Sequence, residues 1–329
     1  MSRRLLAVLL PLFALFAFGA PAPAMADADG VVRFATLPKP GPGFPEGIAA
    51  DSAGRIYVAS FDFGQPNRIY IFDRNGKVDE TIHLRPGIIP LGMEFDRAGN
   101  LYVADFENGD VLQFTPPFNS GSTPARTFDV CGGRLTGCGL NAITFDVAGA
   151  LYVSDSFGGN VFKLDVVSGA QTVFVSDEQL RPGSHGFPPF GANGLAFDKS
   201  GKTLYVANTA DDRILKVDVT TRAVTPFAES INGADGILFD SKGRLWVAAN
   251  QGDHVVALNA NGRVVESVGS FEGVGNDGAA KGLLFPASIV ISGGFVYVTN
   301  AALALTPNDG DEPEEDVTTY TVSRFRLPN

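Results

Sequence analysis

The chain has 329 residues, 25 Lys and Arg against 36 Asp and Glu, a formal net charge of −11 and only two cysteines. That acidity argues against nucleic acid, whose phosphates are met by Lys and Arg. Gly is abundant at 39 residues, long helical periodicity is missing and Val, Ile, Phe and Tyr fill the periodic segments, so an all-β fold is expected.

The first residues read as a leader. Arg3 and Arg4 precede an apolar run from Leu5 to Phe18, and Ala24-Met25-Ala26 is a small-residue cleavage pattern. Cleavage is expected after Ala26, by ordinary secretion rather than twin-arginine export, leaving residues 27–329 as one secreted or periplasmic domain. Loss of the two arginines takes the net charge from −11 to −13. No later apolar run is long enough to span a bilayer, so no membrane contact is expected after cleavage.

From Pro45 onward one sentence is written six times. "PEGIAADSAGRIYVAS" begins at Pro45, "PLGMEFDRAGNLYVAD" at Pro90, "LNAITFDVAGALYVSD" at Leu140, "ANGLAFDKSGKTLYVAN" at Ala192, "ADGILFDSKGRLWVAAN" at Ala234, and a decayed "PASIVISGGFVYVTN" at Pro286. Each copy opens with a short apolar strand and a tight Asp-x-x-Gly turn, in which Asp bonds nearby backbone and Gly tolerates positive φ. A second strand with Tyr or Trp follows, then a polar loop, a third strand and a weaker fourth. Four strands repeated every 42 to 52 residues is the pattern of propeller blades, and six copies make a six-bladed β-propeller. The last copy lacks a fourth strand, while Val31 to Leu37 is a spare strand at the mature N-terminus, so one blade should combine both termini and close the ring.

The turns between first and second strands are short and alike. The opposite face carries the loops that vary, and function belongs there. Just ahead of each first strand stands one column: Glu46, Leu91, Asn141, Asn193, Asp235, Ala287. First strands line the axis of a propeller, so Glu46, Asn141, Asn193 and Asp235 should converge. Two carboxylates and two amide oxygens suit one hard divalent cation, calcium before others, since no nitrogen or sulfur ligands are offered.

Other residues bear on the same face. Cys131 and Cys138 are close enough in an exported chain to form a disulfide, directly before Asn141. Phe63 and Phe190, with Phe61, Phe106, Phe157 and Phe187, offer an apolar rim for a substrate, and His185 in the loop before Asn193 is a candidate proton shuttle or substrate contact. No nucleophile elbow accompanies a Ser-His-Asp order, which excludes a serine hydrolase reading. The acidic run from Asn308 to Asp316 is read as a solvated insertion in the last blade.

The six-blade pattern and the Glu46, Asn141, Asn193, Asp235 column resemble the gluconolactonase / senescence-marker-protein / luciferin-regenerating-enzyme family, within the calcium-dependent phosphotriesterase superfamily. Pro45-Glu46-Gly47, Ala192-Asn193-Gly194-Leu195-Ala196-Phe197-Asp198 and Asp235-Gly236-Ile237 carry the likeness most specifically. The resemblance implies one catalytic divalent metal at these four positions, hydrolysis of lactones or related esters, and Asp235 or Glu46 as base or nucleophile. Sugar-lactone members often have Arg two residues before the third-blade Asn and Asp directly after it. Here those places are Gly139 and Ala142. The expectation is an exported, monomeric, metal-dependent hydrolase of a small molecule, with calcium as its metal, and a non-catalytic NHL-like binding propeller as the alternative.

Overall fold

The computed structural model describes residues 30–64, 66–133, 137–184, 188–306, 310 and 312–328. The expected leader, His185, Phe187 and part of the acidic run lie outside them. Six four-stranded antiparallel sheets follow one another along the chain, with one additional two-stranded hairpin. Their first strands are Pro45–Ala50, Pro90–Phe95, Leu140–Phe145, Ala192–Phe197, Ala234–Phe239 and Pro286–Ser292. Each packs against the first strand of the next blade, and the sixth against the first, which closes the ring.

Closure runs as expected. Val32–Thr36 pairs antiparallel with Thr321–Arg326, which pairs in turn with Phe295–Asn300. The last blade therefore takes its outer strand from the N-terminus, and the ring has no open seam. The hairpin of Phe271–Val274 with Ala280–Gly282, between blades five and six, has no counterpart in the other copies.

The repeated residues join neighbouring blades. In the turn after the first strand, Asp51 accepts from the backbone N–H of Arg55 at 2.9 Å and from Tyr57 Oη at 3.2 Å. Gly54 in that turn has φ +80°, a conformation that costs an L side chain strain. The Tyr57 ring then meets Phe95 of the next blade edge-on at 4.9 Å, and Tyr102–Phe145, Tyr152–Phe197 and Tyr205–Phe239 repeat the contact at 5.2, 4.9 and 5.0 Å. Aromatic burial between blades thus supplies much of the interface that no single blade could cover alone.

The register of the first two strands contains a feature that matters for the site. In every blade the pairing shifts by one residue at the column position. Pro45 pairs with Ser60 and Ile48 with Val58, so Glu46 and Gly47 together face the single residue Ala59. The same two-against-one bulge sets Leu91-Gly92, Asn141-Ala142, Asn193-Gly194, Asp235-Gly236 and Ala287-Ser288 against Ala104, Ser154, Ala207, Ala248 and Thr299. A bulge re-aims a side chain out of the pleat. The second bulge residue is small because it lies on the next blade: a Cβ at Gly47 would fall 2.0 Å from the Leu91 carbonyl oxygen, and at Gly194 2.1 Å from that of Asp235.

Candidate functional site

The six bulges form a ring, and its residues divide by blade. Glu46, Asn141, Asn193 and Asp235 line one cavity of about 110 Å³ on the face of the variable loops. All four side chains are buried, with 4 to 9 % of their surface exposed. A second ring, one position beyond each second strand, stands behind the first: Phe61, Phe106, Ser156, Thr209, Asn250 and Ala301. In blades three to five the two rings are wired together. Asn141 Nδ2 donates to Ser156 Oγ at 3.3 Å, and that hydroxyl donates to the Ala192 carbonyl at 2.8 Å. Asn193 Nδ2 donates to Thr209 Oγ1 at 2.9 Å, and Thr209 donates to the Ala234 carbonyl at 2.7 Å. Asn250 Nδ2 donates to Asp235 Oδ2 at 3.0 Å. Each backing group therefore fixes one column side chain, and each hydroxyl also grips the residue before the next column member.

The wiring orients the amides. The hydroxyls behind take the Nδ2 groups of Asn141 and Asn193, not their carbonyl oxygens. Glu46 is held differently, through its backbone: Thr299 Oγ1 donates to the Glu46 carbonyl at 2.7 Å, across the closure between the last and first blades.

Three buried oxygens are left without a hydrogen-bond partner at this floor, Glu46 Oε2, Asp235 Oδ1 and Asn250 Oδ1. Burial raises both carboxyl pKa values. Glu46 is pushed well above the usual carboxylate range by desolvation and then by repulsion from Asp235. Asp235 is pushed up to about 7 by desolvation, against hydrogen bonds from Asn250 and Asn193 that favour its ionised form. Unpartnered acceptor oxygens and two mutually repelling carboxylates fit a hard divalent cation, which would satisfy the first and neutralise the second. Among the described residues no three or more His, Cys, Asp or Glu are grouped so that they could hold a metal ion, so any ion at this floor depends on the amide oxygens as well.

Apart from Glu46, the ring positions of blades six, one and two are apolar: Leu91, Phe61, Phe106, Ala287 and Ala301 line the same cavity, together with Phe63 and Phe190. Below the ring an axial tunnel of about 430 Å³ continues between the first strands. Its lining includes Glu94, whose carboxyl burial pushes up to about 7 despite hydrogen bonds from Thr144 and the Phe145 backbone.

The loop before Asn141 is fixed on both sides. Asp155 Oδ1 accepts from the backbone N–H of Gly139 at 3.0 Å and from Gly158 at 3.0 Å. Cys131 and Cys138 are joined in the expected disulfide. A disulfide is what an oxidising compartment permits.

Comparison with known proteins agrees with this architecture. Residues 188–270 match the family model described as the SMP-30/gluconolactonase/LRE-like region. The expected family likeness is borne out. The matched stretch contains Asn193 and Asp235. Among solved structures, a luciferin-regenerating enzyme aligns with TM-score 0.65 and 16% identity, over 90% of this chain and 94% of its own. A gluconolactonase from Xanthomonas campestris aligns with TM-score 0.63 and 15% identity over 93% and 92%. A calcium-binding protein, regucalcin, from Agrobacterium tumefaciens gives TM-score 0.59 and 16% identity over 88% and 92%. At these identities the structural likeness speaks for the six-bladed fold. No curated protein sequence matches the chain.

The backing ring of Ser156, Thr209 and Asn250 escaped the sequence reading. A signal was available: these residues follow Asn141, Asn193 and Asp235 at a near-constant offset, after the second strand of the same blade.

Proposed function

We propose that this chain is a metal-dependent hydrolase of lactones or related esters, with one divalent cation, calcium for preference, held by Glu46, Asn141, Asn193 and Asp235. The observation that carries the reading is the pair of buried, partnerless carboxylate oxygens, Glu46 Oε2 and Asp235 Oδ1, on the floor they share with two oriented amides. The match of residues 188–270 to the gluconolactonase-type family supports the reaction class. The apolar leader and the disulfide support export to an oxidising compartment.

A cation bound at this floor supplies Lewis acidity toward the carbonyl oxygen of a lactone or ester. The chain's residues do the rest. Glu46 or Asp235 acts as base toward the attacking water, or attacks the carbonyl itself. Asn250 holds Asp235 in one orientation through its 3.0 Å hydrogen bond, while Ser156 and Thr209 keep the two amides from rotating. The apolar wall limits bulk water at the reacting centre.

The test is metal content after exhaustive dialysis, followed by a lactone and aryl-ester panel with and without chelator. Hydrolysis should fall at least a hundredfold on chelation and in Asp235→Ala, and return with calcium only in the wild type. Hydrolysis that survives both changes would refute the reading. Stoichiometric metal with no hydrolysis of any panel member would favour the binding propeller instead.

A further inference from the structure

Among the described residues, the pocket above the floor has no polar wall. Its polar lining residues are Glu46, Asn141, Asn193, Asp235 and Asn250, and all of them belong to the two rings at the base. Every other described lining residue is apolar, including Phe285 and Leu303 toward blade six. The walls are built from two aromatic groups. Phe61 lies between Phe44 and Phe63, with ring centroids 5.5 Å from each. Phe106, Phe157 and Phe190 close a triangle with centroids 5.4, 5.8 and 6.1 Å apart.

The triangle depends on a missing side chain. A Cβ at Gly139 would lie 2.8 Å from ring atoms of both Phe106 and Phe157. Gly139 has no positive φ, so conformation does not require glycine there. Space does: the volume beside Asn141 that a side chain at 139 would fill is taken by two phenyl rings. Phe63 completes the arrangement at the mouth, where it lines the cavity with 76% of its surface exposed.

These walls select among lactones. Hydroxyl groups of a sugar lactone would be stripped of water against phenyl rings, with no described donor or acceptor above the floor to replace it. An alkyl or aryl substituent would instead bury its own surface and that of the rings. We infer that the substrate is a lactone or carboxylic ester whose non-reacting portion is apolar, seated against Phe61, Phe63, Phe106 and Phe190 with its carbonyl at the polar floor. The inference takes its reaction from the hydrolase reading above, but its ligand class from the walls alone. In the step itself water adds to the acyl carbon, the acyl C–O bond breaks, and the proton passes to the departing oxygen, giving a hydroxy acid from a lactone or an acid and an alcohol from an ester.

The experiment compares γ-alkyl-γ-butyrolactones of increasing chain length with glucono-δ-lactone, in calcium, by steady-state kinetics and by calorimetric binding. KM or Kd should fall roughly threefold to fourfold for each methylene that reaches the rings, and glucono-δ-lactone should be bound at least a hundredfold more weakly than the best alkyl lactone. Phe63→Ala and Phe190→Ala should weaken binding of the long lactones roughly tenfold and of the shortest much less. An affinity that does not change along the alkyl series, or glucono-δ-lactone handled as well as the best member, would overturn the inference while leaving the hydrolase reading intact. Tightening affinity along the series with no turnover of any lactone would uphold the apolar pocket and remove the hydrolase reading.

Discussion

Replacing Asp235 by Asn should make the metal-free protein more stable and remove most of the stabilisation that calcium gives. The carboxyl is held at about 7 against an ordinary 3.8, mainly by desolvation. For an acid whose folded pKa is raised, stability is full below the unfolded pKa and is lost as pH climbs toward the folded one. At pH 8 that loss is complete, and a shift of roughly three units corresponds to about 4 kcal/mol. Asparagine keeps the shape, still offers an oxygen to Asn250, and presents an amide donor where Oδ1 faces Glu46 without a partner. In chelator at pH 8, Asp235→Asn should therefore melt higher. With an unfolding entropy of about 0.6 kcal/mol/K for some 300 residues, the rise is roughly 6 °C. Calcium at about a thousand times its Kd should add about 4 kcal/mol to the wild type and little to the variant, so the gap in melting temperature closes. Differential scanning calorimetry of both proteins, with calcium and with chelator, reads this directly. A variant that melts below the wild type in chelator, or one that calcium stabilises equally, would refute the reasoning.

Three further outcomes follow from the same structure. Between about pH 4.5 and 7 the unfolded chain releases the Glu94 proton while the folded tunnel retains it, so stability falls across that window by up to about 3 kcal/mol; Glu94→Gln should remove that share of the slope in denaturant titrations at stepped pH, and an unchanged slope would contradict it. Gly194→Ala should cost about 3 kcal/mol, because its Cβ would fall 2.1 Å from the Asp235 carbonyl oxygen; urea unfolding within 1 kcal/mol of wild type would show that the bulge is not tightly packed. Cys131→Ser with Cys138→Ser opens a loop of seven-residue separation, a loss of about 2.5 kcal/mol, and should weaken calcium binding through the loop before Asn141; unaltered affinity would leave the disulfide a purely structural role.

Much of the fold was legible in the sequence because its signals are local. The Asp-x-x-Gly turn, the Tyr or Trp of the second strand and the apolar first strand recur in one window, and the spare strand before Pro38 matched the gap in the last blade. The column was legible for the same reason, as was the closeness of Cys131 and Cys138. What escaped were properties of pairs. The bulge that aims Glu46 at the axis exists only in the register between Pro45–Ala50 and Ile56–Ser60, which neither strand encodes alone. The backing of Asn193 by Thr209 likewise requires the strand-to-strand alignment. Phe63 and Phe190 were expected at the rim and line the cavity, but that every described lining residue outside the two rings is apolar became visible only with all six blades closed. His185, expected at the mouth, lies outside the described residues.

The central claim is that six bulges gather four oxygen donors around one divalent ion. Calorimetric titration of calcium into the exhaustively dialysed protein tests it most directly, with Glu46→Ala, Asn141→Ala, Asn193→Ala and Asp235→Ala beside the wild type. The wild type should bind one ion per chain, and every variant should bind at least tenfold more weakly. An absence of binding to the wild type, or binding that all four substitutions leave unaltered, would contradict it.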